Sequence, residues 1–501
     1  MAHPSANSKQ SPPRHSVFRT KSIEQAIQDT EEPEHRLRRD LSAFDLTVFG
    51  VGVLIGTGIF VLTGTAAKNN GGPAVALSFV VAGIVCACAA LCYAEFASTI
   101  PVAGSAYTFS YASLGELPAW IIGWDLVLEL ALAAAVVAVG WSGYAVSLLD
   151  TMGLHLPASI AGGTEHSWGF NLPAALLVVV ITLVVMRGIK LTSTVTTVIV
   201  AIKSAVVLAT VVVGLFYVRS ANYHPFIPPA RPTPSSSGLK AALIQVITGF
   251  TPTSFGVMGI FFAAAVVFFA YIGFDVVSTA AEETRNPKRD LPIGIIASLA
   301  ICTVAYVAVT LVVTGMQKYT RLSETAPLAD AFKAVGQDWM ATLISIGVVF
   351  GLASVVMILI LGQSRVFFAM SRDRLLPEAF SKVHPRYRTP YRTTALLGTV
   401  VAVVAGVIPL QALAELVNIG TLFAFVVVSI GVIVLRRTRP DLPRSFRAPW
   451  VPVLPIISTV FCLWLMLNLP TETWIRFLVW MAAGFVVYFA YGHRRSRIAD
   501  R

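Results

Sequence analysis

Lys203 sits deep in the apolar run STVTTVIVAIKSAVVLATVVVGLF, ten residues after Ser193. That is about 15 Å along a helix at 1.5 Å per residue. At this depth, near a bilayer centre, a lysine has a long way to snorkel to water. Removing an ammonium from water disfavours its charged form, so reversible protonation near neutral pH becomes one role for it. Permanent pairing with a carboxylate or with carbonyls is the other. Asp125 and Glu129 lie four apart in a different apolar run and share a helix face. Glu129 is the deeper of the two. It can pair with Lys203, accept a proton or simply fix packing. Asp125 reads as an interfacial residue, as do Glu95, Glu282 and Glu283 at the ends of their runs. Asp275, inside FFAAAVVFFAYIGFDVVSTAAEE, is placed deeper. An ionised side chain at mid-membrane costs about 2.5–3.5 kcal/mol on insertion scales. Asp275 is therefore expected to face protein or water, as a substrate contact or a gate.

Glycines mark a second kind of chemistry. VFGVGVLIGTGIFVLTGTA holds Gly50, Gly52, Gly56, Gly58 and Gly64 within fifteen residues. Two readings compete. Small residues allow close helix packing, which suits Gly50, Gly52 and Gly56. An unwound helix bares peptide groups, which suits the triplet Gly56-Thr57-Gly58. Gly273 beside Asp275 marks a second interruption. A break at mid-membrane offers free N–H groups at the start of one half and free C=O groups at the end of the other. Such a pair can hold the carboxylate and ammonium of a small zwitterion without a buried formal charge.

These residues need a membrane-spanning framework to position them, and the composition supplies one. The 501 residues are 56% hydrophobic and 13% charged; soluble domains carry about 25% charged residues. Runs of about 20 apolar residues cross a bilayer as helices. Twelve candidates are found, at 45–66, 74–99, 117–149, 170–188, 193–219, 258–281, 291–315, 339–364, 394–409, 411–435, 450–469 and 473–491. With the N-terminus inside, the inside segments hold 28 Lys and Arg and the outside segments eight. This skew supports twelve spans with both termini cytoplasmic. It also assigns the net charge of +11 to the lipid face rather than to nucleic acid. All five cysteines lie in apolar runs, so buried thiols rather than disulfides or a zinc site are expected. Interruptions in spans 1 and 6, five spans apart, suggest an inverted repeat of spans 1–5 and 6–10.

Several stretches resemble the amino acid–polyamine–organocation superfamily, specifically bacterial relatives of its cationic amino acid transporter group. They are FRTKSIE at 18–24, IGTGIF at 55–60, GWDLVLEL with VGWSGY, FFAYIGFD, EETRNPKRDLPIGI and AMSRDRLLP, in the family's order. The resemblance implies an all-α integral membrane protein with the leucine-transporter fold: twelve transmembrane helices, a five-plus-five inverted repeat and two extra helices. It implies substrate binding by Leu54, Ile55, Gly56, Thr57 and Gly58, by Phe269 and Ile272 with Asp275 close by, and by Met357 as a limit on side-chain size. Lys203 matches a lysine of proton-coupled relatives, and Glu129 matches a carboxylate of span 3. Arg374 departs from the family, which usually has glycine there; its place in a loop bears on loop structure or gating.

The segments then read as a cytoplasmic tail (1–44), a first repeat (45–219), an outside loop (220–257), a second repeat (258–435), spans 11 and 12 (436–491) and a short tail (492–501). The expected function is secondary active transport of amino acids across the cytoplasmic membrane, as proton-coupled symport by alternating access. The expected partners are an amino acid, protons and membrane lipid, with no nucleic acid, cofactor, metal or catalytic residue, in a monomer. An amino acid or polyamine exchanger is the alternative within the class. An ion channel would want a repeated constriction or ring of charge, and a membrane enzyme a nucleophile or metal cluster; neither pattern is visible.

Overall fold

The computed structural model describes residues 40–100, 102, 105–157, 159–161, 169–188, 193–232, 238–249, 253–382, 384, 387 and 389–496. The FRTKSIE stretch, most of the N-terminal tail and residues 497–501 lie outside them. The principal helices are α1 (Ala43–Leu54), α2 (Val75–Thr99), α3 (Glu116–Thr151), α4 (Leu172–Met186), α5 (Ser193–Leu215), α6 (Gly256–Val267), α7 (Pro287–Met316), α8 (Asp338–Arg372), α9 (Tyr391–Val407), α10 (Leu410–Thr438), α11 (Val453–Leu467) and α12 (Thr471–Val487). Eight helical segments among the described residues are long and apolar enough to cross a membrane. Four expected spans hold the shorter apolar helices α1, α4, α9 and α11, so length and composition alone establish eight. The chain is a multi-pass, all-helical membrane protein.

Local signals start the helices. Ser42 caps α1: its hydroxyl accepts from the Asp45 amide at 3.3 Å, and Asp45 Oδ2 accepts from the Ser42 amide at 2.9 Å. Asn171 caps α4 by accepting from the Ala174 amide. The core is built by α3 against α8 and α10, and by α7 against α1 and α2. Trp120 and Trp124 dock α12 onto α3. Their indole N–H groups donate to the carbonyls of Gly484 and Trp480, and Trp124 stacks on Trp480. At the end of α8, Arg374 has φ 61 and its guanidinium pairs with Glu378 at 2.9 Å. The glycine usual there in the family it resembles would adopt that conformation without steric cost.

Both interruptions are real breaks. After Leu54 the chain turns out at Ile55 (φ −70, ψ 83), and a wide helical turn resumes at Gly58–Leu62. In the second, α6 tightens at Phe268–Tyr271, Ile272 is extended and Gly273 has φ 119. A tight helix then runs through Asp275–Glu283. Close packing also holds at Gly50 and Gly52, but not at Gly56, where a Cβ would come no nearer than 3.5 Å to the Val53 carbonyl. A Cβ on Gly50 would lie 2.5 Å from Ser298, and one on Gly52 2.5 Å from Val200.

The two breaks touch each other. A Cβ on Gly58 would fall 2.3 Å from the Ala270 Cα, and one on Gly273 2.4 Å from Val53 Cγ1. The buried Tyr306 hydroxyl of α7 lies 2.5 Å from the Leu54 carbonyl and 2.7 Å from the Ala270 carbonyl, its one O–H shared between the bared ends of the two breaks.

Gly273→Ala places a side chain on a left-handed residue and against Val53, so it should destabilise by about 1–3 kcal/mol. Tyr306→Phe should cost about 1–3 kcal/mol by leaving buried carbonyls without their donor. Thermal unfolding in detergent reads both; an unshifted Tm for either variant would contradict the role given to that contact.

Candidate functional site

Where the breaks meet there is a small cavity. Val53, Leu54, Gly56, Thr57 and Gly58 line it from the first break, and Phe269 and Ile272 from the second. Ala133 and Val137 of α3 and Val355 and Leu359 of α8 complete it. Every lining side chain except that of Thr57 is apolar, so polar recognition falls to the peptide groups. Helix geometry leaves the first amides of a helix without intrahelical acceptors, and here those belong to the turn entered at Thr57 and Gly58. They carry the positive end of the helix dipole, a setting that favours an anionic group. The Thr57 hydroxyl is fully buried and has no hydrogen-bond partner. Amides at one end and an aliphatic lining at the other suit a compact molecule with one anionic group and one apolar group.

Leu54, Gly56, Thr57, Gly58, Phe269 and Ile272, singled out from the sequence, therefore come together. Ile55, Asp275 and Met357 do not line the cavity. Ile55 turns its carbonyl to Lys203. Asp275 starts the second half of its helix, buried, with Oδ1 unpartnered. Met357 is buried, but α8 meets the cavity through Val355 and Leu359, four apart on one face. Ala133 and Val137 repeat that spacing on α3. Sequence reasoning missed all four, because α3 and α8 are apolar all round and give no sign of which face turns inward.

Lys203 is 1% exposed. Its ammonium donates to the Gly52 carbonyl and, at 3.1 Å, to the Ile55 carbonyl. It thus sits on the negative end of the α1 dipole, with its stem against Gly351 of α8. It bonds to carbonyls and not to Glu129. Glu129 is buried against the Thr421 hydroxyl, with Oε2 unpartnered. Asp125 corrects the interfacial expectation: it is 0% exposed, and neither oxygen has a hydrogen-bond partner. α3 begins at Glu116, so Asp125 lies about 14 Å inside it, and α10 covers it at Gly420. Glu95 does form the expected salt bridge, with Arg436 at 2.6 Å, but is itself buried and also accepts from the Ala448 amide.

The chain matches the family model described as amino acid permease over residues 41–489. It is 48% identical to the methylthioribose transporter of Bacillus subtilis (strain 168), over 96% of this chain and 99% of that protein. It is equally 48% identical to the branched-chain amino acid permease BcaP of the same organism, over 96% and 99%. The vacuolar cationic amino acid transporter 4 of Arabidopsis thaliana is 36% identical over 85% of this chain and 68% of that protein. With two interrupted helices closing on a small cavity, and a match across nearly its whole length, the chain is a transporter rather than an enzyme and belongs to the amino acid permease family of the amino acid–polyamine–organocation superfamily.

Proposed function

We propose that this permease is a proton-coupled symporter of neutral, apolar amino acids in the cytoplasmic membrane. The observation that carries the reading is the cavity at the meeting of the two breaks, with peptide groups at one end and aliphatic side chains at the other. The substrate carboxylate docks on the amides at Thr57 and Gly58, and the side chain lies among Ala133, Val137, Val355 and Leu359. None of these lining residues is acidic, so a cationic side chain would be buried there uncompensated, at a cost of several kcal/mol. The printed name of one 48% relative, a branched-chain amino acid permease, agrees with this.

Twelve spans are proposed, α1 to α12 with the breaks inside the first and sixth and both termini cytoplasmic. The short apolar helices and the Lys/Arg skew support this arrangement. Spans 1–5 and 6–10 form the inverted repeat, supported by two interruptions five spans apart. Lys203 is the coupling residue. Its ammonium binds the carbonyl end of the broken helix that also carries the substrate amides, so loss of its proton weakens that tie as the site changes sides. An exchanger would instead show uptake only with counter-substrate inside.

In a thermal-shift screen, leucine, isoleucine and valine should raise the Tm and arginine should not, since binding to the folded state stabilises it by RT ln(1 + [L]/Kd). A shift with methylthioribose and none with any amino acid would move the substrate to that of the other 48% relative. In proteoliposomes with an alkaline interior, the wild type should accumulate leucine and Lys203→Ala should not. A Lys203→Ala variant that still accumulates would refute the coupling role.

A further inference from the structure

Three carboxyl groups stand near one another between the cavity and the α3 N-terminus: Asp125, Glu129 and Asp275. All three are at most 3% exposed. Lys203, the lysine inside the helix bundle, is spent on carbonyls elsewhere. Ionised together without a counter-charge, the carboxylates would each forfeit several kcal/mol of hydration. At least one must therefore be neutral or hold a cation. A metal ion is disfavoured, because no group of three or more His, Cys, Asp or Glu side chains among the described residues is arranged to hold one. Packing points the same way: a Cβ on Gly420 would lie 2.8 Å from Asp125 Oδ1, so α10 closes directly over the carboxyl. A proton needs no such room.

The three groups differ in the donors they meet. Asp275 faces backbone amides at the start of its helix. Glu129 faces the Thr421 hydroxyl. Asp125 meets no donor at either oxygen. A carboxylate without donors is the most costly form to bury, and a carboxylic acid the least. Nearby stands an acceptor without a donor. Gln363 of α8 gives its Nε2 to the carbonyl of Val127, which lies between Asp125 and Glu129 on α3. Its Oε1 is buried and unpartnered. A carboxylic O–H at this cluster is the kind of donor that Oε1 lacks.

We propose that Asp125 is a proton-binding site distinct from Lys203, holding a carboxylic acid while the transporter is closed and releasing the proton when the α3 N-terminal side opens to water. The proposal rests on the proton-coupled reading of the transporter. The step is one proton per opening. The Asp125 O–H bond breaks, the proton passes to an entering water and leaves as hydronium, and further water hydrates the carboxylate left behind. Among the described residues, the titratable groups facing this site are Glu129 on its own helix, Asp275 from the broken helix and Tyr93 from α2. α10 presents Gly420 and Thr421, and α8 presents Gln363.

Asp125→Asn keeps the shape and removes the titratable O–H. Three readouts on purified protein test it: leucine counterflow without a pH gradient, leucine accumulation with an alkaline interior, and the infrared carbonyl stretch of buried carboxylic acids across a pH titration. Asp125→Asn should retain counterflow, lose gradient-driven accumulation, and lose a carboxylic-acid band that the wild type shows. Accumulation equal to wild type, or a band that survives the substitution, would overturn the proposal. Should the variant lose counterflow too, the band alone decides. A wild type that fails to accumulate leucine under the gradient sinks the coupled reading, whereas the presence or absence of the Asp125 band judges this site separately.

Discussion

A helix that stops at mid-membrane must find partners for its bared carbonyls, because lipid offers none. In this protein the Lys203 ammonium and the Tyr306 hydroxyl meet that need at the end of α1. Lys203 takes Gly52 and Ile55, and Tyr306 takes Leu54 while also reaching Ala270 across the second break. Without these donors the break would leave unpaired carbonyls costing several kcal/mol each. The cavity exists because the break exists, and the break is tolerated because two side chains from α5 and α7 cap it. The lysine is thus structural and, on the proposed reading, functional for one and the same reason. Its charge strengthens bonds to carbonyls that belong to the binding helix.

Close approach is the complementary constraint. Gly58 lies against Ala270, and Gly273 against Val53. Side chains at either glycine would hold the breaks apart and open the cavity wall. The breaks therefore form one assembly, held by two close contacts and bridged by the Tyr306 hydroxyl. The helices around it, α3 and α8, contribute only the flat aliphatic surface.

Much of this was legible in the sequence, for definite reasons. Lipid demands long apolar runs, and each of the runs read from the sequence contains a helix. A glycine triplet beside no compensating helix formers marked the first break, and Gly273 next to Asp275 marked the second. Rotation about a helix axis was not legible. α8 is apolar all round, so its sequence cannot tell Met357 from Val355 and Leu359. The depth of Asp125 failed for a related reason. It was judged from the distance to the end of the apolar run, which says nothing of what packs on the residue, and α10 covers it at Gly420.

On the proposed reading, the site divides recognition between two parts that can vary independently. Peptide groups at the breaks are fixed by backbone geometry, and no side-chain substitution on α3 or α8 alters what they offer. The aliphatic wall, by contrast, consists of four side chains whose size can change without touching a hydrogen bond. A family built this way can keep one carboxylate-binding end while altering the other. That is consistent with relatives of comparable coverage whose names range over branched-chain amino acids, cationic amino acids and a methylthio sugar. The last of these has no amino acid carboxylate, so if such a ligand uses the same cavity, the amides at Thr57 and Gly58 must serve neutral oxygen acceptors as well. Nothing in their geometry forbids it: a helix N-terminus favours a negative charge but donates equally to a hydroxyl or ring oxygen. The neutral wall then does more to define the substrate class than the polar end, since it excludes uncompensated charge whatever occupies the amides.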